Sequence, residues 1–440
     1  MALQTQPYKG ARDFYPEDKR LQKYIFGKLR STVEKYGYEE YDAPVLEPLD
    51  LYLAKTGEEI VNEQTYTFED RGGRKVAIRP EMTPTVSRMV AGKRQELAYP
   101  LRWYSIPNLW RYERPQRGRL REHWQLNVDL FGVDGAEAEF EIIQIADDIF
   151  KNFGAKHDMY TVRLNSRQLV DYILKDYLGL AEVEAGMMGR LIDRMHKMER
   201  TDFIAKADAI CSPSEREAGV VEKLLDVLAA KRFSALPQEV QSQPAVQELK
   251  DMLEMLETAG VSNAEFDVTL MRGFDYYTGI VFEIFDNDPE NNRAMMGGGR
   301  YDGLVGLFGV EPVPTVGFGL GDVTLQNFLE GHDLLPALHA ETDVYVALVG
   351  DVFTRAQKPI HELRVMGLNV AVGAAGKKVG DHFKTAEKKG IDNVLVLGES
   401  ELADEQYTLK NLHTGEEEKH SLERIVTIVK DYRKRNDDSD

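Results

Sequence analysis

Apolar residues recur at helical spacing between about residues 18 and 36 (Leu21, Tyr24, Ile25, Leu29 and Val33), which predicts an amphipathic helix. YDAPVLEPLDLY then reads as extended chain, because Pro44 and Pro48 forbid a regular helix interior. TYTFEDRGGRKVAIRP predicts a hairpin, two β-rich runs joined at Arg71-Gly72-Gly73. A helix capped near Thr83 should run through Val86, Met89 and Val90. YPLRWYSIPNLWRYE and HWQLNVDLFG predict strands around a basic loop, and residues 137–153 a helix.

Residues 168–258 change character, to charged, turn-poor helix with no chemical motif, and read as an insertion between strand-rich halves. Strands are expected again at 266–285 and 314–320. Beyond Leu335-Pro336, DVYVALVG, NVAVG and NVLVLG alternate with helical stretches, which predicts a small α/β domain with a mainly parallel sheet. The closing KDYRKRNDDSD is expected to fray. The expected domains are therefore 1–167 and 259–335 as two parts of one core, 168–258 as the insertion, and 336–440.

Composition narrows the class. With 42% apolar residues in a 440-residue chain, two or three domains with real cores are expected, not disorder. A single cysteine, Cys211, leaves no disulfide framework. No leader and no run of about 18 apolar residues is visible, so a soluble cytoplasmic protein is expected. The nine histidines show no HxxxH or HxH spacing, so no zinc site is expected. A net charge of −19 makes a poor general nucleic-acid binder, so any such contact must come from local basic patches. One candidate is the cluster Lys377, Lys378, Lys384, Lys388 and Lys389 in a strand–loop–helix stretch, either a footprint of phosphate contact or a solvated helix face.

The candidate chemistry lies in five stretches. RYERPQRGRLR (111–121) holds five arginines and one glutamate, and Pro115 and Gly118 make it a loop. It is either a solvated hairpin tip or a phosphate site for which Arg111 and Arg119 are suited, since guanidinium forks match phosphate oxygens. In the next strand, alternation puts Trp124, Leu126, Val128 and Leu130 on one face and Gln125, Asn127 and Asp129 on the other. That polar face is a wet surface or a pocket, where Gln125 and Asp129 would suit an ammonium group. RPEMT (79–83) puts Glu81 and Thr83 at a turn before a helix, as a ligand pair or a helix cap. GGGRYDGL (297–304) and VGFGLGD (316–322) are read as glycines that let strands approach, since a dinucleotide unit does not follow the second. Finally, LMRGFDYYTGIVFEIF (270–285) sets Arg272, Asp275, Tyr276 and Tyr277 before an apolar strand, where burial without partners would be costly.

Together these stretches resemble the class II aminoacyl-tRNA synthetases, and specifically the histidyl-tRNA synthetase family, from KGARDFYP to the C-terminal domain. YDAPVLEP is similar to the first class motif, whose proline sits at a dimer interface, and RYERPQRGRLREHWQLNVDLFG to the second. RGFDYYTGIVFE is close to the family hallmark RGxDYYxxxVFE. The resemblance implies an α+β fold: a class II antiparallel sheet with flanking helices, a helical insertion, and a C-terminal α/β domain of anticodon-binding type. It implies a homodimer that activates L-histidine with ATP and Mg²⁺ to histidyl-adenylate and transfers it to the 3′ end of tRNA(His).

Residue by residue, the resemblance gives Arg111 and Arg272 the α-phosphate and the histidine carboxylate, and gives Glu113 and Arg119 contacts to ATP, with Arg121 behind them. Glu81, Gln125 and Asp129 would hold the amino group beside Thr83. Tyr276, Tyr277 and Tyr301 would line the imidazole pocket. Arg114, Gln116 and Arg117 would meet the tRNA acceptor end. Two positions depart from the pattern. Asp129 stands where family members often have glutamate, and in GLGDVTL Thr324 falls where an adenine-packing arginine is usual. A neighbouring arginine or an aromatic ring is the alternative holder of adenine. Paralogues that serve as regulatory subunits of ATP phosphoribosyltransferase, without charging tRNA, are the competing reading. An enzyme that aminoacylates something other than tRNA is a third.

Overall fold

The structure is a computed structural model that describes residues 3–53, 64–271, 276–291 and 293–437. Its contacts divide the chain into two compact units. The larger ends at Leu335; the second starts at Pro336 and takes in residues 15–21.

The larger unit is built on a nine-stranded sheet. Its strands are β1 (Glu39–Glu40), β5 (Leu101–Ser105), β6 (Asn108–Trp110), β7 (Glu122–Phe131), β8 (Tyr160–Ser166), β9 (Ala264–Phe266), β10 (Ile280–Asp286), β11 (Ala294–Arg300) and β12 (Thr315–Gly321). The order is β1-β5-β7-β12-β11-β10-β8-β9, with β6 on the first half of β7. Among the described residues, β1–β5 and β8–β9 pair in parallel and the other pairings of this sheet are antiparallel. A smaller sheet, β2 (Leu46–Pro48), β4 (Lys75–Ile78) and β3 (Thr67–Glu69), carries the expected hairpin at Arg71-Gly72-Gly73, where Gly73 takes the left-handed φ of +75°.

Glycines permit the close approach of the central strands. A Cβ on Gly298 would lie 2.3 Å from the Gly317 carbonyl oxygen, and one on Gly299 would lie 2.7 Å from that of Ile280. The stretch GGGR is thus the end of a strand, and VGFGLGD is a strand in an antiparallel sheet, not a phosphate loop. Helices α1 (Glu137–Asn152) and α3 (Asp322–Gly331) lie against β7 and β12, and Phe150, Tyr160 and Phe328 form an aromatic cluster there. Arg300 at the end of β11 reaches α1, its Nε and Nη2 donating to the two Glu139 oxygens at 2.6 and 2.7 Å. Both side chains are buried, so this arginine is a structural tie.

Several local expectations change. Thr83 is the first residue of its helix (Thr83–Gly92), not the cap; Met82 occupies that position and makes no side-chain capping bond. Pro84, with its fixed φ, starts the helix instead. The strand expected from residue 266 is shorter in the described residues. β9 ends at Phe266, where the Asp267 carboxylate accepts the backbone N–H and hydroxyl of Thr269 in a turn, and β10 begins only at Ile280. Residues 168–258 are not turn-poor. They form short helices broken by turns, closing with α2 (Pro244–Thr258), which packs on β8, β9 and α1.

The second unit carries β13 (Val344–Leu348), β14 (Val370–Val372), β15 (Asn393–Leu397), β16 (Tyr407–Asn411) and β17 (Glu417–His420) in the order β14-β13-β15-β16-β17. β13 pairs in parallel with β14 and β15, but the last two pairings are antiparallel, so the sheet is mixed and not mainly parallel. The unforeseen hairpin turns at Asn411, whose Oδ1 accepts the N–H groups of His413 and Thr414, and at Gly415, with φ +78°. Nor does the C-terminal run fray from KDYRKR onward: helix Leu422–Asp437 continues through it.

Candidate active site

The site grows from one face of β7. Across it lies β12, with Gly317 opposite Asp129, Gly319 opposite Asn127 and Gly321 opposite Gln125. These glycines form a floor on which the longer side chains rest. A Cβ at Gly317 would meet Asp129 Oδ1 at 2.4 Å, and one at Gly319 would meet Gln125 Nε2 at 2.3 Å. Gln125 Nε2 donates to Asn127 Oδ1 at 2.8 Å, and Asn127 Nδ2 returns a bond to the Gln125 carbonyl at 3.1 Å. Asn127 therefore fixes the Gln125 rotamer, a role the bare alternation did not assign.

Asp129 is only 3% exposed. Its Oδ1 accepts a hydrogen bond from the Tyr301 hydroxyl, while Oδ2 is buried without a partner among the described residues. Burial pushes the Asp129 carboxyl up to about 7, against the opposing pull of the Tyr301 bond. The Tyr301 hydroxyl is driven well above its ordinary value by the same burial and by Asp129 beside it. Tyr41 is raised likewise, first by burial and then by Asp129, and was not singled out from the sequence. The Tyr276 ring lies 4.6 Å from Tyr277 and 5.9 Å from Tyr301, and Tyr277 lies 6.3 Å from Tyr301. The Asp129 carboxyl, with no counter-charge among the described residues, thus lies at Tyr301 in a cluster of three tyrosines, a setting for a small cation with an aromatic or heterocyclic end.

The arginine loop projects from β6 and β7. Arg111 donates from Nε to the Pro80 carbonyl at 2.9 Å, which brings it beside the segment of Glu81 and Thr83. Glu81 is buried and Thr83 half-buried. Arg119 pairs with Glu113 at 3.4 Å. At the tip, Gln116 and Arg119 exchange backbone bonds of 3.0 and 2.9 Å around Arg117 and Gly118. Arg114 lies in the same loop. Arg121 is held from several sides: it donates to the Glu113 carbonyl at 3.1 Å and to the Tyr8 hydroxyl at 2.9 Å, and stacks 4.0 Å over the Tyr112 ring. It braces the loop's base. His123, on the same β7 face as Gln125, is pushed down to about 3 by burial and then by Arg111 and Arg12, so it is a neutral ring beside the arginine loop. Arg272 and Asp275 lie outside the described residues.

The family model described as Histidyl-tRNA synthetase matches residues 10–323, and that described as Anticodon binding domain matches 343–432. The chain belongs to the histidyl-tRNA synthetase family. It is 44% identical to the histidine–tRNA ligase of Leptospira biflexa over 98% of each chain. It is 36% identical to that of Thermoplasma volcanium, over 97% of this chain and 99% of the relative. The fold is similar to the crystal structure of histidyl-tRNA synthetase from Nostoc sp. PCC 7120, with a TM-score of 0.81 and 23% identity over 98% of this chain and all of that one.

Proposed function

We propose that this chain is a histidine–tRNA ligase. It joins L-histidine to ATP as histidyl-adenylate, releasing pyrophosphate, and passes the histidyl group to the 3′ end of tRNA(His). The observation that carries the reading is Asp129, a buried carboxylate with an unpartnered oxygen set among Tyr276, Tyr277 and Tyr301. Asp129, Gln125 and Glu81 hold the α-ammonium, with Thr83 beside them, and the tyrosines enclose the imidazole.

The histidine carboxylate attacks the α-phosphorus; a P–O bond forms and the bond to pyrophosphate breaks. No side chain needs to remove a proton, so the chain's work is positioning and charge stabilisation. Arg111 and, by the family resemblance, Arg272 would meet the α-phosphate, each bringing the positive charge of a guanidinium fork. Arg119 and Glu113 meet ATP, with Arg121 fixing the loop behind them. Glu113, the single carboxylate of loop 111–121, would be the residue to meet a Mg²⁺ ion bound with the ATP phosphates, where the ion would offset their negative charge.

Arg114, Gln116 and Arg117 sit at the loop tip, where they would meet the tRNA acceptor end. Residues 1–167 and 259–335 form the catalytic core, 168–258 its insertion, and 336–440 the tRNA-reading domain. The small sheet leaves Val45, Leu46, Leu53 and Phe68 about half exposed, which supports a homodimer through that surface. Among the described residues no helix is long and apolar enough to cross a membrane, and a cytoplasmic enzyme fits.

The test is histidine-dependent exchange of pyrophosphate into ATP, run beside charging of tRNA(His). Activity in both is expected. Histidine binding with neither activity would establish the regulatory reading; exchange without tRNA charging would point to a different acceptor.

A further inference from the structure

Asp129 stands in a row of positions that runs across the sheet. In the β5–β7 register Trp103 lies opposite Asp129 and Ser105 opposite Asn127, so Ser105 shares the site face of β7. β1 extends the row. Its Glu39 and Glu40 pair with Trp103 and Tyr104, and the next backbone N–H, that of Tyr41, donates to the Tyr104 carbonyl at 2.8 Å. Alternation puts Tyr41 on the face of Glu39, Trp103 and Ser105, and its ring lies 5.8 Å from that of Trp103.

Three buried oxygens meet in this row. Ser105 Oγ, the Tyr41 hydroxyl and Asp129 Oδ2 are shut from solvent, and none closes a hydrogen bond with a described residue. They are neighbours, because Asp129 and then the Ser105 hydroxyl act most on Tyr41 after burial itself. Each such oxygen carries a desolvation cost unless it finds a partner, and these three can serve one another. Asp129 Oδ1 already accepts from Tyr301 beside Gly317, so the neutral acid carries its proton on Oδ2. A hydroxyl both accepts and donates by turning one bond. It can therefore match Oδ2 in either state of the acid.

We propose that the Tyr41 and Ser105 hydroxyls are positioning groups for Asp129, accepting from its Oδ2–H before histidine binds and donating to Oδ2 once the proton has left to solvent. This rests on the reading above, in which Asp129 holds the histidine ammonium. Burial pushes the Asp129 carboxyl up to about 7, so both states are reachable near neutrality. With Oδ1 held by Tyr301 and Oδ2 by Tyr41, the carboxylate keeps one orientation. The other ionisable groups near this acid are Tyr301 and Tyr38. Arg79 and Asp42 flank Tyr41 and pair with each other at 3.2 Å, and Arg102 and Glu141 beside Tyr38 pair at 2.8 Å.

The experiment compares the full chain with its Tyr41→Phe and Ser105→Ala variants. KM for histidine from pyrophosphate exchange is followed from about pH 6 to 8.5, beside histidine binding by calorimetry. Losing a hydroxyl that donates to a charged oxygen favours the neutral acid, so its ionisation should move up by roughly one pH unit. For Tyr41→Phe, KM should then rise on the order of fivefold at pH 7 and more at pH 6. It should return to within about twofold at pH 8.5, where the carboxylate forms in either chain. Ionisation of the substrate cancels in the ratio of variant to unaltered KM. Ser105→Ala should act in the same direction, and KM for ATP should hold within about twofold in both variants. A rise of equal size at every pH overturns the proposal, since it would make Tyr41 a packing residue, and so does an unchanged KM across the range. Absence of exchange in the unaltered chain would instead sink the ligase reading, and the calorimetric affinities would still show whether the pH dependence follows the hydroxyl. No binding of histidine at all would overturn both.

Discussion

Asp129 shows how one residue's surroundings set its chemistry. With its carboxyl pushed up to about 7, it is largely neutral below neutrality in the empty site. An arriving ammonium favours the ionised form, so histidine binding near pH 6.5 should release a proton through this group. Its contribution to affinity should grow as pH rises from about 6 to 8. Calorimetry in buffers of different ionisation enthalpy measures that release, and Asp129→Asn should abolish the part due to Asp129. The same variant should raise KM for histidine about tenfold or more while changing KM for ATP much less, as loss of a charged hydrogen bond predicts. If both constants rise together, Asp129 is structural. Stability carries the opposite pH sign. The folded value lies above that of the unfolded chain, so the native state holds more protons between about pH 4 and 7, and this group's contribution falls as pH rises through that window. Asp129→Asn should flatten that part of the stability curve in urea titrations.

At the scale of the element, the three central strands β7, β12 and β11 depend on glycine in two distinct ways. Gly298 faces backbone: a methyl there would meet the Gly317 carbonyl at 2.3 Å and Phe318 Cβ at 2.6 Å, and neither can move without parting the strands. Gly319 faces the site, where a methyl meets the end of the Gln125 side chain, which can swing away. Gly298→Ala should therefore destabilise the larger unit by about 3 kcal/mol, visible as a lower urea midpoint, with histidine affinity in the surviving folded protein little changed. Gly319→Ala should cost little stability but raise KM for histidine severalfold, because Gln125 loses the rotamer that Asn127 fixes. A large stability loss in Gly319→Ala, or a normal midpoint in Gly298→Ala, would contradict this division. The Arg300–Glu139 pair belongs to the same scale. Glu139→Gln leaves the buried Arg300 guanidinium with the more exposed Asp302, at 3.4 Å, as its remaining carboxylate among the described residues and should cost about 3 kcal/mol, read from the same titration.

At the scale of the whole molecule, an acidic chain must meet an acidic ligand, tRNA. The second unit offers local positive charge: Lys377, Lys378, Lys384, Lys388 and Lys389 are all exposed, on helix Val379–Lys388 and its two flanks. Changing all five to glutamine should leave pyrophosphate exchange unaltered while weakening tRNA affinity. It should also flatten the slope of log affinity against log salt, since each phosphate contact contributes about 0.7 to 0.9 to that slope. Charging kinetics and filter binding across salt concentrations measure both. Equal losses in exchange and charging would show that the second unit supports the catalytic core and is not a separate tRNA reader.

Much of this was legible along the chain because it is local. Alternation in HWQLNVDLFG put Gln125, Asn127 and Asp129 on one face, and Pro115 and Gly118 marked the arginine stretch as a loop, since strand period and backbone sterics act over a few residues. The motifs alone carried the family. What the sequence left open depends on partners distant in the chain. The raised Asp129 carboxyl needs burial by strands from both halves of the unit, and the Tyr301 hydroxyl that opposes the rise comes from 172 residues away. Nothing along the chain separated Arg300, a buried tie to Glu139, from the arginines proposed to meet a ligand, because exposure is decided by packing. The antiparallel β16–β17 hairpin went unseen because β17 (EEKH) is polar and largely exposed and β16 buries only two apolar residues, Tyr407 and Leu409, which is little hydrophobic signal. The departure at Thr324 stands in the sequence, but what surrounds it does not: only folding brings Arg293, Asn327 and Gly118 to one point, because β11, α3 and the loop after β6 meet there in space and nowhere along the chain.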